Sequence, residues 1–127
     1  VKLPYLKEWT RLRESRASLY SQRLSSLETV LCPKVALERE HVWHLYVIKS
    51  EQRDRLREYL SENGIPTVIN YPTALPFLPA YRRFGHEPED FPNAFADQSR
   101  ILSLPIYPEL EDENIDIISQ AIHNFPL

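Results

Sequence analysis

Two short stretches carry the residue types most able to meet a ligand: Asn70-Tyr71-Pro72, and Tyr81-Arg82-Arg83 with His86 just beyond. An amide supplies two donors and an acceptor, and a phenol supplies a donor that can also accept. Guanidinium groups match the geometry of phosphate oxygens. Asn70 and Tyr71 follow the apolar run Thr67-Val68-Ile69, so they sit at the tip of a strand, where rigid backbone meets a loop and sites are commonly built. Pro72 restricts the residue before it to extended geometry, which fixes the direction of the Tyr71 ring. An ordinary polar strand exit and a solvated basic helix end remain the plainer readings of these two stretches.

Other searches for chemistry fail. With two glycines in 127 residues, no glycine-rich phosphate loop is possible. His41 and His44 are three apart, which on a strand sends them to opposite faces and makes a poor metal pair. His44 reads as a half-buried, hydrogen-bonded core histidine, with a substrate-facing role as the alternative. Cys32 reads as a buried structural thiol. No nucleophile, base and orienting group come together, so no catalytic and no metal residue is assigned.

The elements that position these residues follow from periodicity. Tyr5, Trp9, Leu12, Leu19, Tyr20, Leu24 and Leu27 recur at helical steps, predicting a helix over residues 4–27 with a solvated Arg-rich face. Such a helix is long for a small domain and is expected to reach toward another domain or subunit. A short strand ends at Pro33. Residues 41–49, HVWHLYVIK, are the strongest strand, with Trp43, Leu45 and Val47 on one face and Val42, His44, Tyr46 and Ile48 on the other. Ser50 is placed as the N-cap of a helix ending at Asn63-Gly64, and residues 65–69 as a further strand. A helix over 91–101 capped by Asp90, an extended stretch over 102–110 and a final helix with Ile115, Ile118, Ile122 and Phe125 inward complete the chain. The fold class is α+β: one domain over residues 1–127, with a small antiparallel or mixed sheet of about three strands and helices packed on one face.

Composition narrows the function classes. A net charge of −3 gives no reason to expect nucleic acid or an anionic membrane. No apolar run approaches the ~18 residues of a membrane span. A lone cysteine fits the reducing cytoplasm. Eleven prolines against two glycines describe rigid connections. The absence of methionine and a start at Val1, inside a helix, favour a piece of a longer protein.

HVWHLYVIKSEQRDRLREYLSENGIPTVINYP, followed by LPAYRRFGH, DFPNA and LSLPIYPELEDENID, resembles the C-terminal part of the DegT/DnrJ/StrS family, fold-type-I aminotransferases dependent on pyridoxal phosphate. The resemblance covers nearly the whole chain. It implies that the full-length enzyme carries pyridoxal phosphate, acts on a nucleotide-linked keto-sugar with an amino donor, is a homodimer and serves pathways such as polysaccharide biosynthesis; some relatives dehydrate rather than transaminate. It also implies that the large domain with the Schiff-base lysine is absent here, so that none of Lys2, Lys7, Lys34 and Lys49 is catalytic. This chain alone is then expected to hold no cofactor, to be inactive and to self-associate weakly through uncovered apolar surface. The family's His-Tyr-Pro segment corresponds to Asn70, Tyr71 and Pro72, and its later Pro-Leu-His to Leu75-Pro76-Phe77. The expected substrate-binding residues are Asn70, Tyr71, Tyr81 and Arg82. A stand-alone small-molecule binding or regulatory module and a protein-interaction domain are the alternatives from other classes.

Overall fold

Strand β1 (Tyr46–Lys49) pairs antiparallel with strand β2 (Ile101–Leu104), Tyr46 opposite Leu104 and Lys49 opposite Ile101, in a computed structural model that describes residues 1–126. The sheet has two strands rather than the three expected. The other two candidates contribute one bridge each: Leu31 pairs with Lys49 outside β1, and Val68 pairs with Ser103 outside β2. The reason is chemical. In an antiparallel ladder the next residues facing the same neighbour are two positions to either side; on one side of each bridge that position is a proline, Pro33 or Pro66, which has no N–H to donate.

β1 also starts later than the sequence suggests. Trp43 takes a left-handed φ of 49°, a conformation that interrupts an extended chain. The break turns Trp43 inward beside Tyr46, with ring centroids 5.7 Å apart, although strict alternation would put the two on opposite faces. It also leaves His44 exposed, so His44 is not the half-buried core histidine expected.

Helix α1 (Leu6–Leu24) follows a short 3-10 turn, Leu3–Tyr5, and buries Ala17, Tyr20 and Leu24. It is shorter than the predicted 4–27, and Tyr5 and Leu6 are exposed. Its arginines are not all solvated. Arg13 Nη1 donates to the carbonyls of Trp43, His44 and Ile106 at 3.3, 3.3 and 2.9 Å, and Arg16 Nε donates to that of Leu110 at 2.5 Å. Helix α2 (Arg53–Glu62) inserts Leu56 and Leu60 and ends with Gly64 at φ 73°, the left-handed turn that glycine permits. Ser50 lies before the helix, buried, with Oγ accepting from the Gln52 N–H at 3.3 Å; it is not the N-cap.

Helix α3 (Pro92–Asp97) is much shorter than the predicted 91–101: residues 98–100 form a turn and Ile101 opens β2. The Asp90 carboxylate accepts from the Glu87 N–H rather than capping α3. Helix α4 (Asp112–His123) carries acidic residues in its first turn, favourable with the helix dipole, and buries Ile115, Ile118 and Ile122. α1 packs along α4, while α2 lies against α4 and β2. This is the α+β arrangement expected.

Tyr20 and Tyr46 stack at 4.9 Å in the centre of the core. The Tyr20 hydroxyl donates to the Pro105 carbonyl at 3.0 Å, and the Tyr46 and Ser21 hydroxyls bond at 2.9 Å. Burial pushes both phenols above the ordinary tyrosine value. Tyr20→Phe removes the donor and leaves the Pro105 carbonyl unpaired, so it should lower the unfolding free energy by about 1–3 kcal/mol. Urea denaturation measures this, and an unchanged midpoint would mean the bond contributes nothing net.

Candidate functional site

The segment after Val68 is tied to β2 twice. The Val68 N–H donates to the Ser103 carbonyl at 3.2 Å, and the Ser103 N–H donates to the Val68 carbonyl at 2.8 Å. One turn of chain later, Asn70 Oδ1 accepts from Ser103 Oγ at 2.9 Å. Asn70 is thus half-buried and anchored, with its amide nitrogen not engaged by any hydrogen bond among the described residues. The Asn70-Tyr71 peptide bond is cis. Tyr71 is 74% exposed, and its ring stands clear of the domain.

The chain beyond Tyr71 is held from a third point. Gln98 Oε1 accepts from the Ala74 N–H at 3.0 Å. Gln98 sits in the turn between α3 and β2, which is fastened by buried Arg53: its Nη1 donates to the carbonyls of Gln98 and Ile101 at 3.3 and 3.2 Å. Asp97, the last residue of α3, pairs with Lys49 at 2.7 Å and Arg100 at 3.0 Å. Burial works to raise the Asp97 pKa. The hydrogen bonds and charges of Lys49 and Arg100 outweigh it and hold the carboxyl below its ordinary range.

The second predicted cluster lies on a 3-10 helix, Pro79–Phe84, closed by Gly85 at φ 66°. Tyr81 lines a cavity of about 260 Å³ with Leu75, Pro76, Phe84 and His86. Arg82 is exposed beside it, while Asn70 and Tyr71 do not line this cavity. The four predicted residues therefore fall into two places, the anchored strand tip and the aromatic slot. Sequence reasoning missed Ser103, Gln98 and Phe84. A serine inside the apolar run Ile101-Leu102-Ser103-Leu104 was the available signal for the first: a buried hydroxyl needs a partner.

Residues 1–123 match the DegT/DnrJ/EryC1/StrS aminotransferase family. The chain belongs to that family. It is 35% identical over 127 residues to the pleiotropic regulatory protein of Geobacillus stearothermophilus, covering 98% of this chain and 34% of the relative. It is 34% identical to the dTDP-3-amino-3,4,6-trideoxy-alpha-D-glucose transaminase of Streptomyces venezuelae, covering 87% of this chain and 29% of that one. A crystal structure of a DegT DnrJ EryC1 StrS aminotransferase from Brucella abortus superposes with a TM-score of 0.89 at 34% identity, over 98% of this chain and 33% of the other. The chain spans about a third of the length of the relatives it matches.

The family's cofactor is pyridoxal phosphate. Its cradle needs a lysine free to react, a carboxylate at the ring nitrogen and donors around the phosphate. Lys49 is held by Asp97, and Lys2, Lys7 and Lys34 are exposed. The half-buried carboxylate of Asp97 is itself occupied by Lys49 and Arg100. The described residues do not fit the cofactor. No group of three or more His, Cys, Asp or Glu among them could hold a metal ion, and none of their helices is long and apolar enough to cross a membrane.

Because the folded-state pKa of Asp97 is lowered, its contribution to stability is fully present above the ordinary carboxyl value of 3.8. It is lost as pH falls through the lowered folded value. Asp97→Asn should therefore be less stable than the parent by a constant amount at neutral pH, and the two should converge in acid below 3.8. Chemical denaturation across pH measures the difference; a gap that persists in acid would assign the loss to something other than the Asp97 charge.

Proposed function

We propose that this chain is the C-terminal small domain of a pyridoxal-phosphate-dependent aminotransferase acting on a nucleotide-linked keto-sugar, and that it forms one wall of the substrate cleft. The observation that carries the proposal is family membership across residues 1–123 by a chain that spans about a third of its relatives. The dTDP-sugar transaminase of Streptomyces venezuelae supports a nucleotide-linked substrate. The full-length enzyme is proposed to be a cytoplasmic homodimer that also takes an amino donor.

At the strand tip, Asn70 accepts from Ser103, which leaves its amide N–H groups to meet a ligand oxygen. Tyr71 directs its phenol from the end of the same anchored segment. Tyr81 and Arg82, at the separate aromatic slot ten residues further on, supply a ring and a guanidinium suited to a phosphate-bearing group. All four bind and orient the sugar nucleotide. The family's histidine is here Asn70, which cannot carry a proton between groups at neutral pH, so this position positions substrate without moving a proton.

In the full-length enzyme, Tyr71→Phe removes one hydrogen bond and Asn70→His replaces an anchored amide. Each should raise the KM for the sugar nucleotide or lower kcat about two- to tenfold. Steady-state kinetics tests this, and unchanged constants in both variants would remove the strand tip from the substrate site. The present chain, titrated alone with pyridoxal phosphate, should develop no lysine-dependent absorbance band; a stable band abolished by substitution of one lysine would contradict the assignment of the cofactor to the rest of the enzyme.

A further inference from the structure

The aromatic slot differs from an ordinary patch of surface in how its rings are ordered. Tyr81 and Phe84 lie 6.2 Å apart at an interplanar angle of 23°, and Phe84 and His86 lie 5.8 Å apart at 25°. The three rings form a near-parallel run. Phe91 closes it edge-on against His86 at 5.0 Å. Phe84 is nevertheless 55% exposed, far more than a ring placed for core packing.

Charge accompanies the rings. The Arg83 guanidinium stands 4.9 Å over the Phe84 ring, and Arg82 precedes it. Neither forms an ion pair among the described residues, a property shared by Arg13, Arg39, Arg55 and Arg57. Of these six, only Arg82 and Arg83 belong to the segment that carries the ring run. The neighbouring carboxylate of Asp90 is turned to the Glu87 N–H at 2.9 Å. Two uncompensated guanidinium groups beside exposed π faces are suited to a ligand that is flat at one end and anionic at the other.

Size selects among such ligands. Sites for drug-sized molecules run about 300–1,000 Å³, and this cavity is about 260 Å³. It matches one planar ring system in size rather than a whole nucleotide-linked sugar. Stacking on such rings tolerates any base, since every base has a π face.

We propose that Tyr81, Phe84 and His86, with Leu75 and Pro76, form a stacking subsite for the nucleobase of the nucleotide-linked sugar, and that Arg82 and Arg83 meet its diphosphate. The proposal rests on the nucleotide-sugar reading above and assigns the two ends of the nucleotide to different side chains.

The test uses the full-length enzyme and calorimetric titration with thymidine diphosphate, uridine diphosphate and inorganic pyrophosphate. Phe84→Leu and Tyr81→Leu keep apolar bulk but remove a ring, and should weaken both nucleoside diphosphates about tenfold while leaving pyrophosphate unchanged. Tyr81→Phe restores the ring and should bind like the parent. Arg83→Gln should weaken all three probes. Nucleoside diphosphate affinity unchanged in both leucine variants overturns the subsite while leaving the nucleotide-sugar reading intact. Equal losses for pyrophosphate and nucleoside diphosphates also overturn it, because the rings would then only shape the phosphate site. A parent enzyme that binds neither nucleoside diphosphate brings down the nucleotide-sugar reading itself and the subsite with it.

Discussion

The fold depends on satisfying carbonyl oxygens that the sheet leaves without partners. With four residues in each strand and prolines at 33, 66, 105 and 108, the ladder ends early. A buried carbonyl without a donor costs as much as a lost hydrogen bond. Side chains supply the donors instead: Arg13 and Arg16 from α1 take Trp43, His44, Ile106 and Leu110, Tyr20 takes Pro105, and Arg53 takes Gln98 and Ile101. Arginine suits this role because its planar fork can serve more than one acceptor while its stem packs against apolar neighbours. These bonds lash the irregular connections to α1 and α2, so connections far apart in sequence are held by the same two helices.

That dependence also explains what was legible in the sequence. Helical periodicity correctly located α4 and its inward isoleucines, and the Asn63-Gly64 stop of α2, because these are local signals. The α+β class followed from the order of the elements. The extent of the strands did not follow, because propensity reports only that a segment could extend. Whether residues 30–33 or 65–69 add a full strand depends on which backbone positions face the neighbour, and there the prolines decide. The left-handed Trp43 was equally hidden: nothing in HVWHL marks a break, and the gain from burying an indole beside Tyr46 appears only in three dimensions. The Arg-rich face of α1 looked solvated because its acceptors lie 30 to 94 residues away.

The candidate residues could be named from the sequence, but what holds them could not. Asn70 and Tyr71 stood out as a polar pair closing an apolar run. Their anchoring did not, since Ser103 and Gln98 lie 33 and 24 residues from the groups they hold. Tyr81 and Arg82 stood out as a basic aromatic cluster, yet the ordering of Phe84 and His86 beside them is a property of the 3-10 helix and its glycine stop. The strand tip is held by bonds to residues distant in sequence, and the slot by the local bonds of its 3-10 helix.

Ser103 engages the neighbouring segment at two points, through its backbone to Val68 and through its hydroxyl to Asn70. The pair of backbone hydrogen bonds at Val68 is a hinge line, about which the segment carrying Tyr71 could swing as a door swings. The hydroxyl is the latch. It removes the remaining rotational freedom without lengthening the strand, leaving the main-chain groups beyond Asn70 uncommitted to the sheet.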